Sequence, residues 1–274
     1  MTALFVAYAT PSIDLVWIAP DADVLIVHND RSLDRERVSH PRLRHLDTGS
    51  NVGFGAAVNR ALREVRSERV VLCNPDLALA RLHWDALVAA EPHETVTVPL
   101  VDGDGRPTSV VSRYPTPLAH LASGLRLGRL APRGTRRRRG FATGLGRWGR
   151  AHNASLRSPV GSWPLTTRWA SGAALSLDTE RLRAVGGFDE RYFLYYEDVD
   201  LCRRLAAAYP ESVVRVADVP AGIHPVGASG GASDAATAHR LDAALRYARR
   251  QTGMRWRVTS RILAGRASAA ATRA

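Results

Sequence analysis

NVGFGAAVNRALREVRSERVVLCNPD, residues 51–76, reads as a helix running into a buried strand. Phe54, Ala57, Val58, Ala61, Leu62 and Val65 recur at spacings of three and four, which predicts a helix over 53–66 with Asn51 in position to cap it. RVVLCN (69–74) follows as a short β-branched run of the kind buried in parallel sheets, and it ends in Asn74-Pro75-Asp76. Working outward, LFVAY (4–8), DVLIVH (23–28) and TVTVPLV (95–101) are runs of the same type, and PSIDLVWIA between the first two reads as a short helix. Strands alternating with helices imply βαβ units and a mostly parallel sheet covered on both faces, an α/β fold.

Regularity lapses over 102–168. The turn-forming DGDGRP is followed by a weakly amphipathic stretch (Leu118, Leu121, Leu125), by Arg136 to Arg139, and by a run rich in Gly, Arg and Trp. A long irregular insertion in a compact domain is usually a lid, a binding loop or disorder. Order resumes with ASGAALSL (170–177), a short helix from Asp178, a helix near 197–209 and a late strand, VVRVADV (213–219). The expected organisation is one domain over 1–233 with a basic insertion at about 105–168, then a basic C-terminal helix and tail over 234–274.

The 274 residues are 45% hydrophobic and 23% charged, which argues against a disordered or collagen-like chain. No apolar run approaches the roughly 20 residues needed to span a bilayer, so an integral membrane protein is not expected. MTALFVAYATPSIDL lacks a basic leader, so neither is a secretory signal. Two cysteines, Cys73 and Cys202, build no disulfide framework or four-ligand zinc site and read as buried thiols. The formal net charge is +12 and every base is arginine. Residues 105–177 hold thirteen arginines and no acid, and residues 239–274 hold nine arginines against Asp242 alone. An acidic body with two basic segments favours an anionic partner: nucleic acid, a membrane surface or a phosphorylated substrate.

Three places could carry chemistry. In GGFDERYFLYYEDVDLCRRL (186–205) two glycines end a helix, five aromatics follow, and Glu197, Asp198 and Asp200 open the next helix. Acids favour a helix N-terminus for electrostatic reasons alone, but that does not account for aromatics converging on them. Asn74-Pro75-Asp76 closes a strand, where open α/β sheets bind ligands and a carboxylate suits a divalent cation on phosphate; the same residues are also ordinary turn formers. NVGFGAAVN is neither a Walker nor a Rossmann signature, though its helix N-terminus could favour a phosphate. His224, in AGIHPVG after a strand, can reach the same sheet edge.

In their order, VLIVHN, NVGFGAAVN, NPD, ASGAALSL, GGFDERYFLYYEDVDLCRRL and the late histidine resemble the family 2 glycosyltransferases of GT-A fold, over about residues 3–226. The wording is most similar to rhamnosyltransferases that extend lipid-linked diphosphate sugars in cell-envelope assembly. The resemblance implies a Rossmann-like, mostly parallel sheet flanked by helices and an inverting transfer from a nucleotide sugar, dTDP-rhamnose favoured. It implies Asp198 as catalytic base with Glu197 beside it, and Asp76 with His224 as holders of Mg²⁺ or Mn²⁺. It further implies Tyr8, His28, Asn29, Asp30, Asn51, Gly53, Asn74 and Asp76 on the nucleotide sugar, and Tyr195, Tyr196 and Asp200 on the acceptor side. His28 stands where many relatives carry an aspartate that contacts the base; Asp30 is the candidate substitute.

An acceptor hydroxyl is a poor nucleophile at neutral pH, so a positioned carboxylate must take its proton as the new bond forms. Charge growing on the departing nucleoside diphosphate calls for a divalent cation. The expected acceptor is a lipid-linked or polysaccharide intermediate, met by a peripheral enzyme on the cytoplasmic face of the plasma membrane. There Arg126, Arg129 and Arg136 to Arg139 would meet anionic headgroups; a solvated insertion is the alternative. Two other classes remain at this point. A nucleic-acid-binding protein would explain the arginines but lacks an accompanying motif. A non-catalytic sugar-nucleotide-binding module would explain His28.

Overall fold

The computed structural model describes residues 1–124, 160–225 and 234–271. The central sheet is built from β1 (Thr2–Ala7), β2 (Asp23–His28), β3 (Leu43–Asp47), β4 (Arg69–Cys73), β5 (Glu94–Thr97), β8 (Gly161–Pro164), β10 (Ala174–Asp178) and β11 (Val213–Val216). Their order is β3-β2-β1-β4-β10-β5-β11-β8. β1 pairs in parallel with β2 and β4, β2 with β3, and β5 with β11. β10 runs antiparallel to both β4 and β5, and β8 antiparallel to β11. The sheet is therefore mostly parallel, as expected, with two reversed strands that hydropathy alone could not orient. Two short ladders flank it: β6 (Leu100–Val101) with β12 (Gly222–Ile223), and β7 (Val111–Arg113) with β9 (Arg168–Ala170).

From β1 the chain steps outward to β2 and β3, then returns to the other side of β1 as β4. That reversal leaves a crevice beyond the carboxyl ends of β1 and β4, the usual ligand site of such sheets. The helices are α1 (Phe54–Leu62), α2 (Arg81–Val88), α3 (Pro117–Gly124), α4 (Thr179–Ala184), α5 (Glu197–Ala208), α6 (Asp234–Arg250) and α7 (Met254–Ala271). α1 is shorter than its apolar stripe, since Val65 continues inward from the turn that follows.

PSIDLVWIA forms turns, not a helix. Its buried side chains alternate at Ile13, Leu15 and Trp17 and then run on through Ile18 and Ala19, a pattern that no single helix face accommodates. Trp17 meets Phe5 of β1 and Trp84 of α2 edge-on, at ring distances of 6.3 and 6.2 Å, while its indole N–H donates to the Asp14 carbonyl at 2.9 Å. β3 has no fully buried side chain and α2 spans only eight residues, and neither is foreshadowed by the apolar runs, whereas the stretch at Leu118 does form α3. Leu125, Arg126, Arg129 and Arg136 to Arg139 lie outside the described residues. The basic helix after 234 packs on the body: Ala243 and Tyr247 of α6 join Tyr192 and Val199, and Leu263 of α7 joins Ala244 and Ala248. Among the described residues no helix is long and apolar enough to cross a membrane.

Removing the Trp17 side chain empties a site that relaxes poorly. Trp17→Ala is expected to cost about 3–5 kcal/mol, read as a lower urea midpoint at unchanged slope. A loss below about 1 kcal/mol would mean Trp17 is not a core residue.

Candidate active site

α4 begins at Asp178, whose carboxylate accepts from the Arg181 amide at 2.8 Å, and ends where Gly187 takes φ +67° and donates to the Leu182 carbonyl. A Cβ at 187 would lie 2.3 Å from Asn59 Oδ1. That oxygen accepts from the Phe188 amide at 2.8 Å, and the same side chain donates to the Phe188 carbonyl at 2.8 Å and to Glu190 Oε1 at 3.0 Å. Asn59, last residue of NVGFGAAVN, thus clips the aromatic loop onto α1. A second tie lies at the start of α1, where the Phe54 amide donates to the Phe193 carbonyl at 3.2 Å. Gly53, at φ +87°, leaves room for that carbonyl, which a Cβ would approach to 2.6 Å. The helix start expected to attract phosphate therefore has its first amide occupied by the protein's own loop.

The loop closes with Tyr195 and Tyr196 both left-handed, at φ +73° and +66°, a conformation that non-glycine residues adopt at a cost of roughly 1–2 kcal/mol each. Tertiary contacts hold it. The Arg240 guanidinium lies 4.4 Å from the centre of the Tyr195 ring. The Tyr196 hydroxyl bonds His120 Nδ1 at 3.1 Å, and His120 Nε2 bonds the Ala244 carbonyl at 2.6 Å. Burial lowers the His120 pKa, so the ring is neutral and accepts from the tyrosine. This turn starts α5 with its first carboxylates facing the crevice.

The crevice holds a cavity of about 420 Å³. Of the residues expected at the site, Tyr8, Asn29, Asn51, Gly53, Asn74, Tyr195, Glu197 and Asp198 line it. Asn51 does not cap α1; Gly53 holds that position without a side-chain bond. Asn51 Oδ1 instead accepts from Asn29 Nδ2 at 2.8 Å and the Gly53 amide at 3.0 Å, while Asn29 Oδ1 accepts from the Val52 amide at 3.0 Å. Two asparagines from separate elements are so locked into one wall.

Asp198 is fixed by the Val199 amide at 2.8 Å and the Gly172 amide at 3.3 Å, and it keeps an opening to the cavity. Desolvation raises its pKa against those two bonds. Glu197 is buried, its Oε2 without a hydrogen-bond partner, and its pKa is raised further, by desolvation first and then by the Asp198 charge. Two adjacent carboxylates, one buried and one half-buried, cannot both ionise cheaply. Glu197 keeps its proton to higher pH, and Asp198 is the carboxylate that ionises first.

Asp76 is not on the cavity wall, although its neighbours Asn74 and Pro75 are. Its Oδ1 lies 3.4 Å from His224 Nε2 and has no hydrogen bond, and Asn74 Nδ2 donates to that same imidazole nitrogen at 3.0 Å. The Asp76–His224 pair thus meets the cavity at its edge, through Asn74. Among the described residues no three or more His, Cys, Asp or Glu side chains are arranged to hold a metal ion.

Four expected residues face elsewhere. His28 is buried and hydrogen-bonded to His45 Nδ1 at 2.8 Å, because its position on β2 turns it toward β3. Asp30 accepts from the Ala9 and Ser32 amides at 2.7 and 3.0 Å, bracing the loop after β1. Asp200 is buried and bound by Arg204 at 2.7 Å and Arg250 at 2.9 Å, a structural ion cluster. Tyr196 turns its hydroxyl to His120, away from the opening. Conversely, His239 and Ala236 of α6 line the cavity, His239 stacked on Phe193 at 4.5 Å. The sequence signal for α6 is only that of a basic amphipathic helix, which does not say what it covers.

No protein-family model matches the chain. It is 34% identical over 184 residues to N-acetylglucosaminyl-diphospho-decaprenol L-rhamnosyltransferase of Mycobacterium tuberculosis, a match covering 62% of this chain and 55% of that protein. It is 24% identical over 191 residues to low-salt glycan biosynthesis hexosyltransferase Agl10 of Haloferax volcanii, covering 67% and 53%. The chain spans about half the length of these curated relatives. Mannosyltransferase PcManGT from Pyrobaculum calidifontis, solved with GDP-Man and Mn²⁺, superposes with a TM-score of 0.48 at 14% identity over 97% of this chain and 68% of that one, a likeness too low to bear on function. The resemblance to glycosyltransferases read from the motifs therefore stands, with rhamnosyltransferase and hexosyltransferase names among the relatives.

Because the fold holds a proton on Glu197 that the unfolded chain releases near the ordinary glutamate value, the cost to stability is absent in acid and grows as pH rises through that value. Glu197→Gln is thus expected to raise stability by about 1–3 kcal/mol at pH 8 and to leave it unchanged near pH 4. Equal melting shifts at both pH values would show that Glu197 is not held protonated.

Proposed function

We propose that this chain is an inverting glycosyltransferase of the GT-A type, moving a hexose from a nucleoside diphosphate donor to a hydroxyl of a lipid-linked or polysaccharide acceptor. The observation that carries the reading is Asp198, held by two backbone amides in the same cavity as the strand-end residues Tyr8, Asn29, Asn51 and Asn74. The asparagine wall offers neutral amide N–H donors to a nucleoside, its carbonyl oxygens being engaged within the wall, and the same cavity offers one ionisable carboxylate to an alcohol. In this reading Asp198 takes the hydroxyl proton while the oxygen attacks the anomeric carbon from the face opposite the leaving diphosphate. A single in-line displacement inverts that carbon. Glu197, protonated, keeps the pair at one negative charge and leaves the basic site on Asp198.

The residues near Asn74 fit a divalent cation. Asp76 Oδ1 is a buried hard oxygen lacking a hydrogen bond, and His224 Nε2, 3.4 Å away, would join it as a ligand by exchanging the Asn74 N–H for the ion. When bound there, Mg²⁺ or Mn²⁺ would neutralise charge building on the departing diphosphate. Rhamnose from dTDP-rhamnose is the favoured donor and a diphospholipid-linked sugar at the cytoplasmic membrane face the favoured acceptor. Support comes from the Mycobacterium relative, whose name gives an L-rhamnosyl transfer onto an N-acetylglucosaminyl-diphospho-decaprenol. His28 itself does not line the cavity and bonds His45 instead.

Asp198→Asn is expected to lower kcat by about 10²–10⁴ with donor affinity and fold retained, measured as radiolabelled sugar transferred under saturating donor. Turnover like that of the native chain would remove Asp198 from the base role. Asp76→Ala is expected to abolish the Mn²⁺ dependence of nucleotide-sugar binding in calorimetry. Native affinity that is the same with and without the cation would remove the metal from the scheme.

A further inference from the structure

α7 is apolar on two faces. Leu263 is buried and Trp256 half-buried against α3 and α6. On the opposite side Met254, Val258 and Ile262, each four residues apart, form one stripe. They remain 72%, 46% and 43% exposed. Arg257 and Arg261 border one edge of the stripe and Arg255 the other, all three exposed. None of them pairs with a carboxylate among the described residues, and the helix sequence contains no acid. Leu118 of the neighbouring α3 adds another exposed apolar side chain, at 62%.

Single apolar residues on a surface need no explanation, but three in register, edged by unpaired cations, form a pattern. A helix lying in a lipid headgroup layer has this construction: apolar side chains enter the acyl boundary while arginines reach outward to phosphate on flexible stems. We propose that this face of α7 docks on an anionic phospholipid surface. Charge decides between lipid and a second copy of the chain. Two copies meeting on this face would oppose arginine to arginine with no acid in the helix to answer, whereas phosphatidylglycerol presents the complementary charge. The docking face locates the membrane contact of the function proposed above and rests on that reading only for the presence of a lipid-linked acceptor in the same surface.

The test is co-sedimentation of the full chain with vesicles, without nucleotide, so that its outcome is separate from any result on transfer. Vesicles with about 30% phosphatidylglycerol in phosphatidylcholine should bind the chain at low salt, and pure phosphatidylcholine should not. Val258→Ser/Ile262→Ser should lower the partition coefficient at least about fivefold. Arg255→Gln/Arg257→Gln/Arg261→Gln should lower it similarly and flatten its salt dependence, and both variants should keep native melting and nucleotide binding. The proposal is overturned if the native chain ignores phosphatidylglycerol, or if the serine variant binds as the native chain does. It is also overturned if light scattering shows a dimer that the serine substitutions convert to monomer.

Discussion

One side chain connects the two halves of the cavity. Asn59 grips both backbone polar groups of Phe188 from a position 129 residues earlier in the chain, and it does so across a glycine that has no Cβ to interfere. Because α1 is fixed against β1 and β2, this grip transmits the position of the sheet edge to the aromatic loop. The Phe54–Phe193 bond and the edge-on Phe54–Phe188 rings, 5.8 Å apart, make the attachment rigid about more than one axis. A loop so held can carry consecutive left-handed tyrosines. The turn they form then fixes where α5 begins and which way its first carboxylates face.

The electrostatics follows from that placement. Glu197 and Asp198 lie side by side in the cavity wall, with desolvation opposing ionisation of both. Backbone amides favour charge on Asp198, while Glu197 Oε2 has no such partner. The asymmetry selects one carboxylate as the charged one without any cation in the wall. It also separates roles that the sequence presents as equals: of the three acids opening α5, Asp200 is taken up by Arg204 and Arg250 in holding α6 against the loop.

Much of the frame was legible because it depends on local pattern. β2 runs over the predicted residues, α5 begins at Glu197 as expected, and Asp198, Asn29, Asn51 and Asn74 do share a cavity. What escaped depends on long-range geometry. The reversed direction of β10 is a matter of pairing, to which hydropathy is blind. His28 reads as a strand-end ligand until β3, a strand with no fully buried residue, supplies His45 beside it. Asn51 looks like a helix cap by position, yet Gly53 sets the entry angle and frees Asn51 to bond Asn29. The contribution of α6 to the cavity is likewise invisible in a run of alanines and arginines. The outer stripe of α7 is hidden for a different reason, since apolar residues on both faces of a helix cancel the periodic signal that a one-sided helix displays.

The account stands on a single cavity accepting a nucleotide on its asparagine wall while Asp198 opens into the same space. Crystals soaked with thymidine diphosphate and Mn²⁺ test this directly. The expected difference map has the base and ribose against Asn29 and Asn51, and an anomalous peak beside Asp76 and His224. A nucleotide bound on another surface, with the cavity between Asn74 and Asp198 left to solvent, would contradict it.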